Sequence, residues 1–148
     1  MSDPFDLQRF VAAQASVYSQ VLRELSDGRK RSHWMWFIFP QVAGLGSSAM
    51  AQRFAIHSRG EAEAYLAHDV LGPRLIECTQ LVLAVKNKTI NDILGSPDDL
   101  KFRSSMTLFG EVSDEPAFVQ AISIYYRGER DTVTLDRLKA MDRAHPAS

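Results

Sequence analysis

The chain has 148 residues, of which 45% are hydrophobic and 24% are charged, and its formal net charge is −1. This length and apolar content predict one globular domain over residues 1–148, with frayed ends at about 1–4 and 143–148. A nearly neutral chain has no overall attraction for polyanions, so nucleic acid is not an expected partner.

Cysteine content and apolar run length set further limits on the class of protein. The single cysteine, Cys78, excludes an internal disulfide. The N-terminal residues are acidic and lack the apolar region of a secretory signal. The longest apolar run, 34–39, is far shorter than the ~20 residues of a membrane span. We therefore expect a cytoplasmic protein without membrane contact. The sequence does not predict its oligomeric state.

The first half of the chain predicts three helices. Apolar residues recur at helical spacing from Leu7 to Leu25, with Asp6 placed to cap the start and Gly28 placed to end the helix. A short helix over 49–56 follows a serine cap, and another begins after Ser58. The run 34–39 is too short for periodicity to assign it to a helix, a strand or a loop.

The second half contains only helical patterns. The predicted helices lie at about 70–85, 90–94, 96–112 with Ser96 as cap, 114–127 with Asp114 as cap, and 132–143. No stretch alternates apolar and polar residues over a strand length. The sequence therefore predicts an all-α, single compact multihelical domain of about six to eight helices, with no substantial sheet.

Residues 44–49 match the spacing of a dinucleotide-binding loop, GxGxxA, without its context. That loop needs a preceding strand, which Pro40 interrupts, and an acid about 20 residues on in a second strand, where this chain is helical. A weaker hypothesis keeps Gly44, Gly46 and Ser47 as backbone donors to an anion at a helix start. The alternative is an ordinary loop and helix cap.

The stretch RKRSHW, residues 29–34, places cations beside aromatic residues. Lys30 and Arg31 are candidates to clamp a phosphate or carboxylate, and Trp34 or Trp36 to stack on a flat ring. The alternative is a solvated basic turn after a helix end, with tryptophans that alternate between core and surface. The patch is short for a nucleic-acid backbone.

His33 and Gln41 complete this first predicted wall of a site. His33 lies among polar and aromatic neighbours, and its pKa range suits proton transfer. The alternative is a hydrogen-bonded structural histidine. No second histidine or cysteine lies at ligand spacing, so neither a metal nor a cofactor is predicted.

The predicted second wall is the helix that contains DDLKFRSSMTLF, residues 98–109. Arg103 and Thr107 approach the helix face of Asp99, while Lys101 and Ser104 point elsewhere. An arginine, a lysine and hydroxyls suit a phosphate or carboxylate, and Asp99 is a second candidate to move a proton. The alternative is an ion pair between Asp99 and Arg103 with ordinary capping.

Several of these strings resemble a known family. RKRSHWMWFIFPQ, GLGSS, EAEAYLAHDVLGPRL, DDLKFRSSMTLF and TLDRL are similar to a family of small proteins of unknown function that is often labelled calpastatin-like. The resemblance covers Phe10 to Leu138, with Phe54 where a tyrosine is common in relatives. It implies a compact multihelical α fold and assigns no catalytic residue. A looser similarity, to small helical domains that process NAD- or ADP-ribose-linked molecules, rests on analogy.

These observations predict a small anionic ligand, nucleotide-like or ADP-ribose-like, held where residues 33–48 meet residues 101–107. Catalysis is a further expectation if His33 or Asp99 moves a proton. The alternative is a non-enzymatic interaction module that exposes the aromatic segment 34–39 to a partner. A third possibility is that this segment is entirely core and the function lies elsewhere.

Overall fold

The computed structural model describes residues 2–144 and contains ten helices in that range. They are α1 (Gln8–Ala15), α2 (Tyr18–Ser26), α3 (Met35–Ile38), α4 (Ala49–Arg53), α5 (Arg59–Ala67), α6 (Leu71–Ala84), α7 (Ile90–Leu94), α8 (Asp98–Glu111), α9 (Pro116–Tyr126) and α10 (Thr132–Ala144). The described residues form no strand, only an isolated parallel bridge between Val42 and Ile56. The all-α prediction is confirmed, and the predicted number of helices was too low.

Two features account for the additional helices. The first predicted helix is broken between Ala15 and Tyr18, at Ser16 and Val17, both weak helix formers. The segment 34–39 contains the single turn α3. One turn contains too few residues to show a helical period, so the sequence pattern did not reveal it.

The capping predictions were correct at Gly28 and at two serines. Gly28 adopts a left-handed φ of 72° directly after α2, where glycine has no steric cost. Ser48 accepts the backbone N–H of Ala51 at 3.1 Å, and Ser58 accepts that of Glu61 at 3.0 Å. These bonds fix where α4 and α5 begin.

Three other capping predictions were wrong. Asp6 does not cap α1, because the carboxylate of Asp3 accepts the N–H groups of Leu7 and Gln8 at 2.8 and 3.0 Å. Helix α8 begins at Asp98, directly after Pro97, so Ser96 is not its cap. Helix α9 is capped by Glu115, whose side chain accepts the N–H of Ala117, and not by Asp114.

The core is built around α6 and α8. Helix α8 packs against α5, α7, α9 and α10, and α6 packs against α2, α3, α5 and α9. Aromatic side chains connect these layers, as in the edge-to-face pair of Phe39 with Phe102, whose ring centroids lie 4.8 Å apart. This contact holds the residues that follow Phe39 alongside α8.

The aromatic segment 34–39 belongs to this core. Trp34, Met35, Phe37, Ile38 and Phe39 are all buried, and only Trp36 is partly exposed. Burial of each large apolar side chain stabilises the fold by about 1.5–3 kcal/mol. The alternative prediction of an exposed aromatic docking segment is therefore wrong.

The chain ends were predicted to be frayed at about 1–4 and 143–148. Asp3 caps α1, and Arg143 and Ala144 belong to α10, whereas residues 1 and 145–148 lie outside the described residues. None of the helices within 2–144 combines the length and apolar character that a membrane crossing requires.

The hydroxyl of Ser105 offers a test of the packing around α8. Ser105 is fully buried, and its Oγ has no hydrogen-bond partner in residues 2–144. Because an unsatisfied buried hydroxyl is destabilising, we expect Ser105→Ala to leave the free energy of unfolding unchanged or to raise it by up to about 1 kcal/mol. Urea unfolding measures this.

The matched control is Ser104→Ala. Ser104 donates to the carboxylate of Asp131 at 2.8 Å, so its removal should lower the free energy of unfolding by about 1–3 kcal/mol. Equal losses in the two variants would contradict the assignment of Ser105 as unpartnered.

Candidate functional site

The basic stretch 29–34 is organised by one buried carboxylate, Glu24. Its Oε1 accepts the N–H groups of Arg31 and Ser32 at 2.7 and 3.0 Å and the indole N–H of Trp34 at 3.0 Å. Its Oε2 accepts from the hydroxyl of Ser32 and from the amide of Gln20. Glu24 forms no ion pair within residues 2–144, so its charge is satisfied by neutral donors.

These hydrogen bonds control the ionisation of Glu24. Burial by itself raises the pKa of this carboxyl, but the bonds from Ser32, the Arg31 N–H, Trp34 and Gln20 outweigh burial and lower the pKa to about 2. The carboxylate is therefore ionised throughout the physiological range, and it holds the turn in one conformation.

The turn leaves little of the predicted first wall available to a ligand. Trp34 is 2% exposed, so its ring faces are covered by the protein. Lys30 is almost fully buried and pairs with Asp98 at 2.8 Å. Arg31 is exposed and pairs with Asp27 at 3.1 Å, one helical turn earlier in the chain. His33 is exposed. The residues 29–34 thus act mainly as a structural turn.

A cleft of about 540 Å³ lies where residues 41–51 meet the start of α8 and the start of α10. Its volume is within the range of small-molecule sites. Its polar lining consists of Gln41, Ser47, Ser48, Lys101, Ser104 and Asp131. We call it the Lys101 cleft, because Lys101 is its only lining cation in residues 2–144.

Apolar side chains form the rest of the Lys101 cleft. Leu45, Pro97, Leu100 and Val133 line it, and Leu100 and Val133 are 59% and 52% exposed. These two are among the few large apolar side chains that the described residues leave exposed. An exposed apolar wall next to convergent polar groups is the usual composition of a ligand site.

Lys101 is held at the cleft by two neighbours. Its ammonium lies 5.4 Å from the ring centroid of Trp36, within the range of a cation–π interaction. It also lies 3.9 Å from Asp98 Oδ1, beyond hydrogen-bond distance, while Asp98 Oδ2 is taken by Lys30 at 2.8 Å. Trp36 therefore supports the cation and does not itself line the cleft.

Arg103 is used inside the protein, where it fixes the segment 127–131. Its Nε donates to the carbonyl of Glu129 at 2.7 Å and its Nη2 to that of Arg130 at 3.1 Å. Its guanidinium also lies over the ring of Tyr126. These two bonds direct the guanidinium towards segment 127–131, and Arg103 does not line the Lys101 cleft, so it is a positioning residue here.

Thr107 and Asp99 also lie outside the Lys101 cleft. Thr107 lines a second cleft of about 410 Å³ between α8 and α9, and its hydroxyl accepts the N–H of Asp131 at 2.9 Å. The carboxylate of Asp99 accepts from Asn91 at 3.3 Å. The predicted ion pair between Asp99 and Arg103 is not among those that the described residues form.

The two predicted glycines have different roles. Gly44 has a φ of 97°, and a Cβ there would lie 2.6 Å from the guanidinium of Arg137, which donates to the carbonyl of Ala43. Gly46 lines the Lys101 cleft, and a Cβ there would lie 2.8 Å from that of Ala51. Gly44 is thus required by a turn, and Gly46 by close packing at the cleft.

The structure brings together only part of the predicted site. The predicted residues that meet in the Lys101 cleft are Gln41, Gly46, Ser47, Lys101 and Ser104. Those placed elsewhere are Lys30, Arg31, His33, Trp34, Trp36, Gly44, Asp99, Arg103 and Thr107. The two predicted segments do meet at this cleft, but only some of the predicted side chains line it.

Sequence reasoning also missed Asp131, which lines the cleft from the start of α10. The available signal was local: an acid directly before a predicted helix is a typical cap. Nothing local indicates that this acid lies beside Ser104, because the contact joins residues 27 positions apart. Within residues 2–144, no three His, Cys, Asp or Glu side chains are grouped to hold a metal ion.

Glu24→Gln tests the role of the buried carboxylate. A fall in pKa from 4.5 to about 2 stabilises the fold by about 3 kcal/mol above pH ~4.5, and this contribution is lost as the pH falls towards 2. Between pH 7 and pH 3 the wild type should therefore lose about 2 kcal/mol more than the variant. Urea unfolding at successive pH values measures the difference.

The matched control is Glu63→Gln, at an exposed glutamate on α5. It should leave the pH dependence parallel to that of the wild type. Parallel curves for Glu24→Gln as well would show that Glu24 is not the ionised centre of the turn.

Comparison with known proteins places this architecture in a family. A family described as "Protein of unknown function (DUF1810)" matches residues 4–138. The crystal structure of the conserved hypothetical protein Rv1873 from Mycobacterium tuberculosis is similar, with 56% sequence identity and a TM-score of 0.92 over 93% of this chain and 99% of that chain. Neither match carries a calpastatin description, and no curated protein matches at a significant level. Because the family match covers nearly the whole sequence, the chain belongs to the DUF1810 family.

Proposed function

We propose that the protein binds a small anionic ligand in the Lys101 cleft, with Lys101 as the residue that holds the anionic group. The observation that carries the proposal is a lysine without a close carboxylate partner in a cleft of about 540 Å³. A cation placed among apolar walls and hydroxyl groups interacts with an anion more strongly than a fully solvated lysine does.

The distribution of charge around α8 supports this role. Asp98 lies between Lys30 and Lys101, but its close contact is with Lys30, at 2.8 Å against 3.9 Å. Asp98 therefore pairs closely with the buried Lys30 and accepts no hydrogen bond from Lys101. Lys101 keeps donor capacity for a ligand, and its ammonium lies 5.4 Å from the ring centroid of Trp36.

The rest of the lining indicates what kind of ligand fits. Leu45, Leu100 and Val133 provide apolar side chains against which a flat ring can pack. Gln41 and Ser47 provide an amide and a hydroxyl for polar edges. A nucleotide-like or ADP-ribose-like molecule combines a flat ring, hydroxyls and phosphate, and it is the ligand class that we propose.

Lys101→Met tests the proposal, since methionine keeps an unbranched apolar side chain and removes the charge. We expect AMP and ADP-ribose to raise the melting temperature of the wild type, and the variant to bind them at least tenfold more weakly, which is the loss of about 1.4 kcal/mol or more expected for a charge-assisted hydrogen bond. Thermal-shift screening followed by calorimetry measures both effects.

The matched control is Lys139→Met, which removes an exposed lysine of α10 that does not line the cleft. It should bind as the wild type does. The proposal fails if no phosphate-bearing compound stabilises the wild type, or if Lys101→Met binds with unchanged affinity.

A further inference from the structure

The carboxylate of Asp131 lies in the Lys101 cleft in a fixed orientation. Its Oδ2 accepts the hydroxyl of Ser104 at 2.8 Å and that of Thr134, and its backbone N–H donates to Thr107. Arg103 fixes the preceding carbonyls of Glu129 and Arg130. Side chains of both α8 and α10 therefore hold this single residue in place.

One oxygen of Asp131 has no partner. Among residues 2–144 no group donates a hydrogen bond to Oδ1, and no cation forms an ion pair with this carboxylate. A position before α10 explains the bond to Thr134, since acids are favourable at a helix start. That structural role uses one oxygen and leaves the other available to a donor.

The charges that line the cleft limit what binds there. Lys101 is its one cation and Asp131 its one carboxylate, so the charges of the described lining cancel. A carboxylate repels a bare inorganic anion and disfavours a polyphosphate. It favours a ligand that presents O–H or N–H donors on one side and a single anionic group on the other.

We infer that the ligand of this cleft is a monophosphate with sugar hydroxyls, such as a sugar phosphate or a nucleoside monophosphate. Its phosphate interacts with Lys101, and its hydroxyls donate to Oδ1 of Asp131. The inference rests on the proposed function and goes beyond it, because it names the group that selects the ligand. It favours a monophosphate over the diphosphate of an ADP-ribose-like molecule.

Two probes with the same phosphate group test the inference: inorganic phosphate and ribose 5-phosphate. Their affinities are measured by calorimetry for the wild type, for Asp131→Asn and for Lys101→Met. Asparagine preserves the size of the side chain and an acceptor for Ser104 but removes the charge. The matched control is Asp136→Asn, which removes a carboxylate charge from an exposed side chain of α10, outside the cleft lining.

The expected changes at Asp131→Asn have opposite signs. Ribose 5-phosphate should bind about tenfold more weakly, because a charge-assisted hydrogen bond is lost. Inorganic phosphate should bind as tightly as before or severalfold more tightly, because repulsion is removed. Lys101→Met should weaken both probes, and Asp136→Asn should change neither.

Other outcomes separate the two proposals. If Asp131→Asn weakens both probes equally, Asp131 only maintains the shape of the cleft and the inference is overturned. If Lys101→Met weakens both probes while Asp131→Asn affects neither, the inference is overturned and the proposed function stands. If the wild type binds neither probe nor any nucleotide, both are overturned.

Discussion

Glu24 is the carboxylate on which the arrangement of the basic stretch depends. Five hydrogen bonds from the segment 31–34 and from Gln20 end on its two oxygens. They turn the chain after α2 so that Trp34 enters the core and the following segment packs against α8 through Phe39. Each donor is neutral, so hydrogen bonds rather than a counter-ion stabilise the charge of Glu24. Loss of this charge weakens the hydrogen bonds that hold the turn.

This turn and the Lys101 cleft are linked through Asp98. The turn places Lys30 2.8 Å from Asp98, and the other oxygen of this carboxylate lies 3.9 Å from Lys101. The sequence RKRSHW thus contributes Lys30, which pairs with Asp98 at the start of α8 but does not line the cleft. The cleft surface itself comes from residues 41–51, α8 and the start of α10. The motif thus lies beside the proposed site without lining it.

The sequence predicted the helical class and most helix positions, because apolar spacing and serine caps are local signals. It also predicted that the glycine-serine segment meets the helix of Lys101. It did not predict the directions of the side chains. Trp34 is drawn inward by a glutamate ten residues earlier, and Arg103 is drawn to the carbonyls of a segment 26 residues later. Such contacts depend on tertiary packing, which periodicity does not encode.

The most direct test of the account is a titration of the ¹⁵N-labelled wild-type protein with AMP, followed by amide chemical shifts. The account predicts saturable shifts at Ser47, Lys101 and Ser104, which line the cleft, and none at Arg31 and His33, which belong to the structural turn. Shifts at Arg31 and His33, with the amides of the cleft residues unchanged, would contradict it. They would show that the ligand binds at the basic stretch 29–34.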